Sequence, residues 1–159
     1  MKCGEVIFDS DIDNWDNGTS VFDSKLINKS NLIFLVEDTE NNKFGGYINT
    51  KIIEYSTGND KMHNDPKSFV FNLQSNGRLN EMMKFDIQCS NEAFRIYSED
   101  YSECGLFEIG YGDMRVFKKD KSSSSYTFNR RSYDYRGIQN ALTGQQYFTS
   151  KRITVIQMK

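Results

Sequence analysis

Leu32-Ile33-Phe34-Leu35-Val36-Glu37-Asp38 and Lys43-Phe44-Gly45-Gly46-Tyr47-Ile48 decide how this chain folds. The first stretch opens on five apolar residues in a row, the mark of a central strand covered on both faces. The polar stretch Asp38 to Lys43 follows, and its Asn41-Asn42 pair is hairpin chemistry. The second stretch is then the returning strand. Its two adjacent glycines predict a bulge or a close neighbour, because glycine weakens a strand that has no use for the space.

The pattern continues outward from this hairpin. Val6-Ile7-Phe8 is a brief first strand. Ser20-x-x-Asp23 resembles a capping box with Asp in place of Glu, and Phe22 and Leu26 stand four apart, so a short helix is predicted over Val21 to Asn28. Thr50 to Tyr55 suits a helical turn. Ser56 to Lys67 is a polar loop holding the only Pro and the only His. Phe69, Phe71 and Leu73 alternate, which gives that strand one apolar face. Phe85, Ile87 and Cys89 do the same, then Phe94 and Ile96. Phe107 and Ile109 lead into the turn Gly110-Tyr111-Gly112-Asp113, with Met114 and Val116 beyond it. Lys118 to Ser125 ends in four serines and reads as a mobile loop. Arg152 to Met158 is the last strand, with Thr154, Ile156 and Met158 on one face and Ile153 and Val155 on the other. The expectation is a mostly β chain: a two-sheet antiparallel β-sandwich flanked by a few short helices, one domain over 1–159.

Composition bounds the function. Of 159 residues, 37% are hydrophobic and 14% aromatic, so the core must rest on large rings: twelve Phe, nine Tyr and one Trp. A formal charge of −2 gives no long-range field favouring nucleic acid or an anionic membrane. The N-terminus lacks the pattern of a signal peptide, and five apolar residues fall far short of a membrane span. Cys3, Cys89 and Cys104 are odd in number and widely spaced, unlike a disulfide framework. They suit a reducing compartment, the cytoplasm first and the nucleus second.

The chemistry-bearing residues are sparse. Nucleophilic catalysis needs a group that holds a proton near neutral pH, and His63 is the only histidine. Its polar surroundings read as a solvated loop, although a Cys–His pair formed in space stays open. Asp9-Ser10-Asp11-Ile12-Asp13-Asn14 begins like a calcium loop. Asn14 then stands where the turn needs Gly, and Ser20 where the bidentate Glu belongs. The acidic stretch 9–16 therefore reads as a connector that caps the next helix, with a weak cation site as its alternative. Gly110 and Gly112 have no third glycine and no helical run after them, so they read as a hairpin turn rather than a phosphate cradle. Lys118, Lys119, Lys121, Arg130, Arg131, Lys151 and Arg152 lie near Tyr126, Phe128, Tyr133 and Tyr135 in sequence. Basic groups among rings suit single strands, which makes 118–136 the basis of an alternative function, a nucleic-acid-binding stress regulator. No cysteine looks like a strong peroxidatic centre: Cys89 continues an apolar face, and Glu99, Asp100 and Glu103 crowd Cys104 with negative charge.

Taken together, the residues resemble the TLDc family, the C-terminal domain of oxidation-resistance proteins. Leu32 to Asp38 followed by Lys43 to Tyr47 resembles the family's paired strands ending in a Phe-Gly-Gly/Ala-Tyr step. Ser68-Phe69-Val70-Phe71-Asn72-Leu73 resembles its Ser-Phe-Leu-Phe-x-Leu strand. Leu106 to Asp113, Tyr133, Leu142-Thr143-Gly144 and Ile153 to Ile156 resemble its later segments, so the likeness covers roughly Glu5 to Met158. Thr154-Val155 stands where the family usually carries Glu-Val. The resemblance implies a β-sandwich with short helices and no established active site, hence no catalytic residue, no cofactor and no metal. It implies structural roles for Phe44, Gly45, Gly46, Tyr47, Phe69, Phe71, Gly110, Gly112, Tyr133 and Gly144. It also implies a protein-interaction domain that protects against oxidative stress, with the vacuolar proton-pumping ATPase as a partner; the short leading helical portion departs from the family and suggests a minimal version with no attached LysM or Rab-GAP-like module.

Overall fold

The computed structural model describes residues 4–54, 61–97, 105–128 and 131–159. Eleven strands among them form two antiparallel sheets: β1 (Glu5–Asp9), β2 (Leu32–Asp38), β3 (Lys43–Ile48), β4 (Phe69–Gln74), β5 (Met83–Asp86), β6 (Phe94–Ile96), β7 (Gly105–Ile109), β8 (Met114–Phe117), β9 (Ser125–Thr127), β10 (Tyr147–Phe148) and β11 (Ser150–Gln157). The larger sheet runs β1-β11-β2-β3-β4-β5 and the smaller β10-β9-β8-β7-β6. One short helix, α1 (Phe22–Leu26), and 3-10 turns at Ser90–Glu92 and Lys119–Ser124 complete the described elements. No helix among the described residues is long and apolar enough to cross a membrane. The chain is mostly β, as its strand periodicity predicts.

Rings fill the space between the sheets. Phe34 of β2 lies 5.0 Å from Phe94 of β6 and 5.0 Å from Phe107 of β7, and Phe44 of β3 meets Phe148 of β10 edge-on at 5.0 Å. Phe22 of α1 stacks on Phe107 and meets Phe8 of β1 edge-on, so the helix is pinned to both sheets through one side chain. Such pairs add about 0.5–1.5 kcal/mol each beyond the area they bury.

The central hairpin forms for local reasons. Asn41 sits at φ +62°, the left-handed region Asn tolerates. The Asp38 carboxylate accepts the N–H groups of Glu40 and Asn42 and the side-chain amide of Asn42. The two glycines serve close neighbours rather than a bulge. The irregularity in the β3–β4 pairing lies between Lys43 and Phe44. A Cβ on Gly45 would overlap the carbonyl oxygen of Phe34, and one on Gly46 would come within 2.9 Å of Ile109 Cδ1 on the opposite sheet.

Several expectations change. β2 is covered fully on one face only: Leu32, Phe34 and Val36 are buried, while Ile33, Leu35 and Glu37 are half-buried. The helix is shorter than Val21 to Asn28. Ser20 Oγ accepts from Phe22 N, but the Asp23 carboxylate turns to its own neighbour Ser24, so the capping box never closes. Residues 50–54 are irregular, because the N–H groups of Asn49 and Thr50 are taken by the Asp65 carboxylate. Tyr55 lies outside the described residues. In β4 the buried positions are Val70 and Asn72, and the apolar side chains Phe69, Phe71 and Leu73 face away from the core. Cys89 is half-buried rather than core, since β5 ends at Asp86. The serine run is ordered. Lys119–Ser124 form a 3-10 turn, Lys118 and Ser125 are buried, and Ser125 Oγ accepts from Phe117 N.

Candidate docking faces of the sandwich

His63 is not a solvated loop residue; it is 4% exposed and bridges to Phe94. Ile53 N–H donates to Nε2 at 3.1 Å, so Nδ1 carries the proton and faces the Phe94 carbonyl at 3.2 Å. Burial holds its pKa below the usual histidine value, against the pull of those two backbone bonds. Both ring nitrogens are committed to backbone, so His63 clamps two segments. Cys3 and Cys104 lie outside the described residues.

In the acidic stretch, Asp9 takes a two-pronged contact from Arg152, and Asp13 is paired with Lys25 at 2.5 Å. The hydrogen bond from Arg152 holds the Asp9 pKa below the usual carboxylate value, against its desolvation. Asp13 accepts Asp9 N, and Asn14 accepts Asp16 N, so the stretch is a self-bonded connector. Among the described residues no group of three His, Cys, Asp or Glu could hold a metal ion.

The stretch 118–136 is divided between inside and outside. Lys118 is 1% exposed, and Tyr133 and Tyr135 are buried. The Tyr133 hydroxyl bonds Ser68 Oγ and the Ala93 carbonyl, and Tyr135 donates to Asp113. Tyr126 and Phe128 remain outside, stacked at 4.4 Å, and Arg130 lies outside the described residues.

Among the described residues, each sheet carries a row of side chains on its outer face. Cross-strand pairing on the larger sheet lines up Val6, Ile156, Ile33, Tyr47, Phe69 and Asp86, one from each strand. The next row reads Asp9, Thr154, Leu35, Gly45, Phe71 and Lys84. Arg152, Glu37 and Lys43 close this face with charge, and Gln74 ends the row with a neutral amide. Tyr47 stacks on Phe69 at 5.2 Å, and Lys84 Nζ sits 4.6 Å over the Phe69 ring. Gly45 stands between Leu35 and Phe71 in the second row. Thr154 lines a neighbouring groove of about 200 Å³ with Leu35, Glu37, Lys43 and Arg152, so the position where a family carboxylate would stand is on this outer face.

The smaller sheet presents a different row: Arg95, Glu108, Arg115, Tyr126 and Tyr147. Glu108 is 4% exposed; it accepts from Tyr97 Oη and Gly112 N, both at 2.6 Å, with Arg95 Nε at 3.6 Å. Burial and the adjoining Glu108 charge push the Tyr97 phenol far above its usual pKa, so it stays a donor.

The ten motif residues divide along the same line. Phe44 and Gly46 point inward, and Tyr133 is fully packed. Gly110, Gly112 and Gly144 hold φ values of +70°, +80° and +83°, which a side chain would strain. Tyr47, Phe69 and Phe71 belong to the outer rows, where packing of the core does not require them; Gly45 shares those rows but is fixed by the Phe34 carbonyl oxygen beside it. The pairing register that assembles these rows comes from tertiary structure. Alternation in β4, and in β11 where Thr154 and Ile156 share a face, was the sequence signal for them.

A TLDc domain model matches residues 5–157. No curated protein matches the chain. This match, which leaves out only the ends, places the chain in the TLDc domain family, whose members are tied to oxidative stress.

Proposed function

We propose that this chain is a non-catalytic protein-interaction domain of the oxidative-stress response, and that its partner docks on the outer face of the larger sheet. The observation that carries the reading is the apolar row Val6, Ile156, Ile33, Tyr47 and Phe69, which spans five strands and faces away from the core. A continuous apolar patch of this kind marks an interaction site rather than an ordinary surface. Aromatic anchors are the side chains from which interfaces draw most of their energy. The commitment of both His63 nitrogens to backbone supports the absence of catalysis.

The family adds a candidate partner, the vacuolar proton-pumping ATPase, with action in the cytoplasm where that pump exposes its soluble sector. The test is retention of pump subunits on the immobilised protein. Ile33→Ser and Phe69→Ser should abolish retention while the melting temperature stays near that of the parent. Failure to retain any pump subunit removes the pump, and retention unaffected by both variants moves the docking face elsewhere.

A further inference from the structure

We propose that residues 132–136 are a pH-operated latch: they close the edge of the larger sheet while Asp113 holds a proton, and open more often once Asp113 ionises. The latch goes beyond docking on the outer sheet face and does not depend on it.

β5 ends the larger sheet, with β4 paired along one side of it. Residues 132–136 run along the other side. Asp134 N–H donates to the Asp86 carbonyl at 2.9 Å, and Gln88 N–H donates to the Ser132 carbonyl at 2.8 Å. Between them Ile87 bridges to Tyr133. The Arg136 guanidinium donates to the Lys84 carbonyl and lies 5.4 Å from the centre of the Phe85 ring. An edge strand offers its N–H and C=O groups to any other strand, and a covering segment takes them up.

The catch of this latch sits on the smaller sheet. Asp113 ends the turn between β7 and β8 and is completely buried. Its Oδ2 accepts the Tyr135 hydroxyl at 3.0 Å, while its Oδ1 is buried with no hydrogen-bond partner. The titratable groups around it are all acidic: Tyr135 and Tyr133 in the segment, Asp65 beside Tyr133, and Glu92 bonded to Ser132. Among the described residues no Lys or Arg is paired with its carboxylate. A buried carboxylate with one donor, no cation and acidic neighbours suits the neutral form and penalises the charged one. Burial accordingly pushes Asp113 up to about 7, against the hydrogen bond from Tyr135.

The direction of the pH effect follows. With the segment open, Asp113 meets water and ionises near its ordinary 3.8. The closed form keeps its proton to higher pH. Opening therefore becomes more frequent as pH rises, by up to about tenfold per unit, and levels off above about 7. Tyr133 and Tyr135 are buried and oppose opening at every pH, so ionisation raises the population of a minor open form within an intact fold.

The test is amide exchange followed by NMR on the whole chain, near pH 5 and near pH 7, with intrinsic rates divided out. The Gln88 and Asp134 amides report the latch, and amides of the β2–β11 pair report the rest of the fold. Latch protection should be the lower of the two, insensitive to low denaturant, and should fall tenfold or more between the two pH values. Asp113→Asn keeps the shape without the charge and should hold that fall within about twofold. Should this variant fail to fold, a carbon-13 titration of Asp113 in the parent replaces it, with an expected midpoint of about 7. Latch amides that exchange in step with the β2–β11 pair, a fall that survives Asp113→Asn, or a midpoint below about 5 would each overturn the proposal. Failure of the larger face to retain the pump leaves these readings unchanged.

Discussion

On the larger sheet the outer row reads Val6, Ile156, Ile33, Tyr47, Phe69 and Asp86; on the smaller it reads Arg95, Glu108, Arg115, Tyr126 and Tyr147. Both rows use the same device, side chains placed opposite one another by antiparallel pairing. They differ in what satisfies them. The charged row is bonded within itself through Tyr97, Glu108 and Gly112. The apolar row is held by its cross-strand neighbours, with Lys84 over the Phe69 ring and the Tyr47 hydroxyl bonded to Asn31 and Asn49 at its polar end. Substitutions should therefore cost stability on the smaller sheet and binding on the larger.

The largest effect should come from Gly45, which lies on the apolar face yet is fixed by the backbone beneath it. A methyl there overlaps the Phe34 carbonyl oxygen, and a neighbouring strand cannot move aside as a side chain can. Gly45→Ala should cost more than about 4 kcal/mol and leave no cooperative unfolding transition. Gly46→Ala meets chiefly the end of the Ile109 side chain and should cost about 1–3 kcal/mol. Equal losses in urea titrations of the two variants would contradict this order.

The next effect tests whether the small-sheet hairpin depends on pH. Burial pushes the Asp113 carboxyl up to about 7, against the hydrogen bond from Tyr135. The folded state thus holds a proton that the unfolded state releases near 3.8. Stability from this group is complete below that value and is lost as pH rises toward about 7, by roughly 2–4 kcal/mol. His63 works in the opposite sense. Its lowered pKa gives stability that is present above 6.5 and lost as pH falls. Asp113→Asn should be more stable than the parent above neutrality, with the His63 slope remaining between pH 5 and 8 in thermal scans. A variant no more stable at pH 8 than at pH 5, relative to the parent, would remove the buried proton from the account.

Glu108 comes third. Glu108→Ala strips the partner from Tyr97 Oη and Gly112 N in a nearly closed site, which should cost about 2–3 kcal/mol. Denaturant unfolding that shows less than about 1 kcal/mol would make the charged row as dispensable as an ordinary surface.

Most strands were legible because period-2 alternation marks them wherever one face is covered; β9 and β10, three and two residues long, are too short to show it. The face was not always legible. Phe69, Phe71 and Leu73 carry the rings, yet Val70 and Asn72 occupy the interior, since Asn72 finds the Ala141 carbonyl and Met83 N there. A buried polar residue with tertiary partners looks like a solvent residue in sequence. His63 was misread for the same reason: its partners, Ile53 and Phe94, are tertiary. Gly45 and Gly46 announced a close neighbour correctly. Neither outer row could be read, because register across five or six strands is fixed by contacts far apart in the chain.

The smallest stability effect and the most direct test of the contrast belong to the apolar row. Ile33 and Phe69 lose only cross-strand neighbours when truncated, because the core lies on the other side of their strands. Ile33→Ser and Phe69→Ser should each cost about 1 kcal/mol or less. Lys84 rests on the Phe69 ring, so Phe69→Ser should sit nearer the upper end of that range. The same substitutions remove the apolar area and the aromatic anchor that a docking partner would cover. Melting temperatures near the parent's together with lost partner retention would separate this face from the core. Losses of about 3 kcal/mol in either variant would make the row part of the fold's own packing.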